Sequence, residues 1–136
     1  MKKIALIGLA AASIIALAAC GSAPGTSKGG SEKGNAIGKT FKIGLNMELS
    51  GAYAAPGNAE KNAIQLAADE INADGRINGK KIQLVVKDNK TDNGEVATVA
   101  SNLTNNDKVA AIIGPMSSGG TLAATPNVTK AQVPLI

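Results

Sequence analysis

The chain offers few side chains able to do chemistry. Its 136 residues include one cysteine, Cys20, one tyrosine, Tyr53, and no histidine. Two adjacent hydroxyls, Ser117 and Ser118, stand in GPMSSGGT (114–121), and a carboxylate, Asp88, ends the run IQLVVKD (82–88). Without His, neither a Ser–His nor a Cys–His pair can be assembled to activate a nucleophile. Metal sites built on imidazole or on several thiolates are excluded on the same count. No catalytic residue, metal or cofactor is expected. What remains is recognition. A helix start presents unpaired N–H groups, and a neighbouring serine hydroxyl adds a hydrogen bond, a combination suited to a carboxylate or phosphate. A phosphate loop of the Gly-x-x-x-x-Gly-Lys-Ser/Thr type is disfavoured, because no lysine follows Gly119 and Gly120. On the residues alone the alternatives stay open. Ser117 and Ser118 bind an anion or simply cap a helix. Tyr53 closes over a ligand or packs on the sheet edge. Asp88 binds a ribose or metal, or caps a turn.

Cys20 belongs to a different kind of signal. Lys2 and Lys3 form a short positive head, and residues 4–19 are uncharged and apolar or small. That stretch is shorter than the roughly 20 residues a spanning helix needs, and it has the form of a secretory signal. The order Leu17-Ala18-Ala19-Cys20-Gly21 resembles the lipobox of bacterial lipoproteins. The resemblance implies that residues 1–19 are a signal peptide and that Cys20 is the lipid attachment point. Each buried methylene of such a lipid contributes about 0.8 kcal/mol to membrane binding. The expected location is extracytoplasmic, lipid-anchored to the cell membrane. Residues 21–38, GSAPGTSKGGSEKGNAIG, are rich in Gly, Ser and Lys, so residues 20–38 read as a lipidated cysteine followed by a flexible linker. Removing the signal leaves twelve basic residues against ten acidic ones, a net charge of +2. Nucleic acid is therefore not an expected partner. With Cys20 modified, no thiol is left for a disulfide.

Beyond the linker, residues 39–136 read as one folded unit. Phe41, Ile43, Leu45 and Met47 alternate with Lys42, Gly44, Asn46 and Glu48, a period-two strand. SGAYAAPG (50–57) reads as a loop, and a helix follows with Asn58 as a candidate cap. That helix has a stripe of Ala63, Ile64, Ala67, Ala68 and Ile71, and Gly75 can end it. A second strand runs over Ile82–Val86. A second helix opens on Asp92 with Glu95 three residues on, and Val96, Val99, Ala100 and Leu103 form its buried side. KVAAIIG (108–114) has the unbroken apolar character of a strand covered on both faces. A third helix lies within residues 117–132, with Pro126 limiting where its first turn falls, and VPLI (133–136) opens a fourth strand. The alternation predicts an α/β fold, a doubly wound parallel sheet with helices on both faces. Ligands of such sheets bind beyond the carboxyl ends of the strands. The loops after the first and third strands, holding Tyr53 and Ser117–Ser118, are the candidate site.

Several of these segments together resemble one family. Leu-Ser-Gly follows the first strand (49–51), Glu-Ile-Asn-Ala ends the first helix (70–73), Ile-Asn-Gly-Lys-Lys precedes the second strand (77–81), and Ile-Gly-Pro-Met-Ser-Ser spans 113–118. They resemble the amino-terminal lobe of branched-chain amino acid ABC-transporter substrate-binding proteins, the leucine/isoleucine/valine-binding type. The resemblance implies a type I periplasmic-binding-protein fold whose two lobes close over a branched-chain or related amino acid. The partners it implies are ABC permease and ATPase subunits. It places Ser118 on the ligand's α-carboxylate, and Met116 and Ser117 along the side-chain pocket. Leucine-binding members carry an aromatic before the Gly of the first helix. Here Pro56 precedes Gly57, so that wall is either reshaped or supplied by Tyr53. The family continues past VPLI into further strands and a second lobe. The sequence therefore reads as an N-terminal part of such a protein, expected to fold poorly and to bind no amino acid by itself. A sensor module of the same fold, or an inactive truncated product, is the alternative. A secreted enzyme is disfavoured by the missing His and the lack of a cofactor fingerprint.

Overall fold

A computed structural model describes residues 39–136. The signal segment, Cys20 and the linker lie outside the described residues. The elements follow the order β1 (Thr40–Met47), α1 (Ala54–Asp74), β2 (Lys81–Asp88), α2 (Asn93–Asn105), β3 (Ala111–Ile113) and α3 (Ser118–Ala131). The three strands form a parallel sheet in the order β2-β1-β3. After α3 the chain returns beside β3. Ile112 donates its N–H to Pro134 O at 2.9 Å, Ile136 N–H reaches Ile112 O at 3.0 Å, and Gly114 N–H reaches Ile136 O at 2.9 Å. Residues 134–136 thus begin to pair as a fourth parallel strand, in line with the expectation for VPLI.

β1 is the central strand and departs from simple alternation. Residues 44–48 are all buried, including Asn46 and Glu48. The physical reason is that both faces are covered. On the even-numbered face Gly44 lies against Leu103 and Val109, while Asn46 donates its amide N–H to Val96 O at 3.1 Å. Asn46 Oδ1 accepts from Asn89 Nδ2 at 3.1 Å. Asn46 and Asn89 enter this core because each finds a partner. Leu45 and Met47 fill the opposite face and are fully buried.

α2 begins as its sequence implies. Asp92 accepts from Glu95 N–H at 2.9 Å, and Val96, Val99, Ala100 and Leu103 are buried. They pack with Val109, Ile112, Ala124, Val128 and Val133 into one apolar cluster between α2, α3 and the sheet.

α1 starts four residues before the expected Asn58 cap. Tyr53 takes the N-cap position without a side-chain cap bond, and Gly57 N–H closes the first turn on Tyr53 O at 3.0 Å. Pro56 falls in that first turn, where a missing N–H has no intrahelical partner to lose, so AAPG winds into helix. Asn58 instead donates Nδ2 to Leu49 O at 3.0 Å and to Ala54 O at 2.7 Å. Of the expected stripe only Ala68 is fully buried. Ile64 and Ile71 are partly covered, and Ala63 and Ala67 are exposed, because α1 meets β1 and β2 along a narrow line. Gly75, at φ 66°, ends the helix in the left-handed conformation.

In α3, Pro126 sits inside the helix and does not set its start. The carbonyl it cannot bond belongs to Leu122, which is 75 % exposed, so water can take that bond.

Candidate ligand-binding edge

The order β2-β1-β3 fixes where a site can form. From β1 the chain crosses to β2 on one side, and from β2 it crosses back over β1 to β3. Right-handed crossovers in opposite directions place α1 and α2 on opposite faces. The loops leaving β1 and β3 therefore part company between two neighbouring strands, and this is the switch point at which open α/β sheets bind ligands.

At that point β3 is followed by Gly114, joined to Pro115 by a cis peptide, and the turn runs through Met116 into α3. The two serines divide their roles. Ser117 is the N-cap: its Oγ accepts from Gly120 N–H at 3.2 Å, and its carbonyl accepts from Thr121 N–H at 2.9 Å and Thr121 Oγ1 at 3.0 Å. Its hydroxyl is thereby engaged in the helix itself. Ser118 is the first helical residue and is exposed. The N–H groups of Ser118 and Gly119 are left without partners among the described residues, at the positive end of the α3 dipole. Met116, 43 % exposed, lies beside them.

Across the switch point, the β1–α1 loop is tied to the β2–α2 loop by a carboxylate. Asp88 Oδ1 accepts from Leu49 N–H (3.0 Å), Ser50 N–H (3.1 Å) and Lys90 N–H (2.8 Å), and Oδ2 accepts from Ser50 Oγ at 2.6 Å. Burial pushes the Asp88 carboxyl up. The bonds from Ser50 Oγ and from the N–H groups of Lys90, Leu49 and Ser50 outweigh it, and hold the group below its ordinary value. With both oxygens so occupied, Asp88 acts as a loop tie, the turn-capping alternative of its sequence reading. Thr91 adds a second tie, donating Oγ1 to Ser50 O at 2.8 Å and accepting from Tyr53 N–H at 3.4 Å. It does so at φ 60°, a conformation that costs a β-branched residue about 1–3 kcal/mol. These ties hold the backbone that carries Tyr53, whose side chain is 48 % exposed at the same edge.

Met116, Ser117 and Tyr53, on loops, and Ser118, at the start of α3, thus all stand at the carboxyl edge of the sheet. Cys20 lies outside the described residues. A shallow depression of about 330 Å³, lined by Phe41, Arg76, Ile77, Asn78 and Lys80, opens at the other end, beside the start of β1. Sequence reasoning missed Glu48, which is 1 % exposed and accepts from Met116 N–H through Oε2 at 3.3 Å. It also missed Thr91. Glu48 ends an alternating strand and so reads as a solvent-facing position, and nothing in the sequence marks Thr91.

An open parallel α/β sheet with a switch point at its carboxyl edge is an architecture found in the lobes of solute-binding proteins. Residues 40–136 match the family described as periplasmic binding protein, and the chain belongs to it. Over 94 residues it is 36 % identical to the Leu/Ile/Val-binding protein homolog 7 of Brucella abortus, covering 69 % of this chain and 23 % of that protein. The branched-chain amino acid transporter substrate binding protein LivJ of Streptococcus pneumoniae, solved in complex with isoleucine, is 55 % identical with a TM-score of 0.69. That match covers 71 % of this chain and 28 % of the other. A solute binding protein of an ABC transporter from Rhodopseudomonas palustris, solved with 3,4-dihydroxybenzoic acid, is 36 % identical with a TM-score of 0.64. It covers 72 % of this chain and 26 % of its own. The chain spans about a quarter of the length of the curated relatives it matches.

Proposed function

We propose that this chain is the amino-terminal lobe region of an extracytoplasmic solute-binding lipoprotein, which captures a branched-chain amino acid and delivers it to an ABC permease and its ATPase subunits. The observation that carries the reading is the start of α3. Ser117 caps the helix, and among the described residues the N–H groups of Ser118 and Gly119 have no partner at the dipole's positive end. A ligand carboxylate there accepts two N–H bonds and one from Ser118 Oγ. Met116 and Tyr53 supply apolar surface around the aliphatic part. The protein acts by binding, without turnover. Its similarity to the pneumococcal protein solved with isoleucine supports an aliphatic amino acid as the ligand. Lipid on Cys20 and the glycine-rich linker keep the binding unit near the membrane.

Equilibrium titration of the complete polypeptide with L-isoleucine, L-leucine, L-valine and 3,4-dihydroxybenzoate tests the reading. Saturable binding of one or more of the three amino acids is the expected result. Binding of dihydroxybenzoate alone would overturn the ligand class while keeping the carboxylate site.

A further inference from the structure

Among the described residues, the carboxylate of Glu48 is the one fully buried charged side chain, and it has no part in holding the ligand. It is 1 % exposed, yet only one of its oxygens has a partner. Oε2 accepts from Met116 N–H at 3.3 Å, whereas Oε1 is buried without a hydrogen bond among the described residues. A buried carboxylate with half its acceptor capacity empty is costly, and an apolar or amide side chain of the same size would be less so. Stability is a poor explanation for it. Its place in the fold supplies a better one. Glu48 follows directly on β1, and its carbonyl lies so close to α1 that a Cβ at Gly57 would stand 2.0 Å from the oxygen. The backbone of Glu48 is therefore wedged against α1, and its side chain reaches across the switch point to the Pro115–Met116 peptide.

We propose that Glu48 is a positioning residue for the ligand site: it acts through the Met116 peptide to fix the β3–α3 turn, so that the N–H groups of Ser118 and Gly119 point at one place. The inference rests on that turn being the carboxylate-holding element proposed above. Glu48 itself touches no ligand. Its contribution is geometric, a hydrogen bond of sufficient reach from a rigid central strand, and the negative charge is incidental to it.

Two variants in the complete polypeptide separate reach from charge. Glu48→Gln keeps the reach and an oxygen for Met116 N–H but loses the charge. Glu48→Asp keeps the charge but is one methylene too short. Amide hydrogen exchange at Met116 and calorimetric titration with L-isoleucine are read for each, beside the melting temperature. Glu48→Gln is expected to keep Met116 protected, to bind within about threefold of the parent, and to melt at the same or a higher temperature. Glu48→Asp is expected to exchange Met116 faster and to bind weaker by about tenfold. An aspartate variant that behaves like the parent, or a glutamine variant that loses Met116 protection or affinity, would overturn the proposal. Should Glu48→Asp fail to fold, the glutamine variant decides alone by the same criteria. If the parent itself does not bind isoleucine, the ligand reading fails, and Met116 exchange still decides whether Glu48 fixes the turn.

Discussion

Both carboxylate oxygens of Asp88 are taken by donors from two different loops, which makes its effect on stability depend on pH in a definite direction. Its folded pKa lies below the ordinary value of about 3.9, because the Ser50, Lys90 and Leu49 bonds outweigh the opposing effect of burial. The stabilisation is therefore fully present above the unfolded pKa and is lost as pH falls through the lower folded one. Asp88→Asn should cost about 1 kcal/mol at neutral pH, and the gap between parent and variant melting temperatures should narrow in acid below the ordinary carboxylate pKa. A gap that does not change with pH would contradict the assignment. The neighbouring hydroxyls give a sharper contrast. Ser118→Ala removes a side chain with no role in the helix cap and should weaken amino acid binding about tenfold with little change in melting temperature. Ser117→Ala removes the N-cap and should cost about 1 kcal/mol of stability. Titration and thermal melts of the two variants, side by side, check the division. The sequence placed the serines at a helix start but could not say which capped and which was free. That depends on where the first turn of α3 begins, and hence on the turn through Pro115 and Met116.

At the scale of elements, legibility followed local signals. α2 was readable end to end because its cap, its apolar spacing and its burial agree. Asp92→Ala is accordingly expected to cost about 1 kcal/mol, as measured by denaturant unfolding. α1 was misplaced at its start because no capping side chain marks it. Its first turn instead packs against the end of β1, where Gly57 approaches the carbonyl of Glu48. Gly57→Ala puts a Cβ into that carbonyl and must push α1 away from β1. The expected outcome is a loss of about 1–3 kcal/mol, typical of overpacking, together with weaker ligand binding. The alternation in β1 misled for a related reason. Asn46 and Glu48 look like solvent-facing positions, but the strand is covered on both faces, and the polar side chains are buried with partners supplied by α2, by the end of β2 and by the turn after β3. Contacts of this kind join residues far apart in the chain and leave no periodic trace.

For the whole molecule, the alternation of strands and helices sufficed to predict the parallel sheet. The order β2-β1-β3 then places the two candidate loops on either side of one switch point. The parallel sheet, the two candidate loops and the turn-capping alternative for Asp88 were thus legible, whereas the buried carboxylate of Glu48 was not. Attachment to the membrane is a property of the complete molecule and has its own test: Cys20→Ser is expected to release the protein from the membrane fraction into the soluble one, read by fractionation and immunoblot. The most direct test of the central claim, that the start of α3 holds a ligand carboxylate, compares two titrations of the complete polypeptide by calorimetry. One uses L-isoleucine and the other 2-methylbutylamine, the same molecule without its carboxylate. Saturable binding of isoleucine and no measurable heat with the amine are the expected results. Equal binding of the two would contradict it.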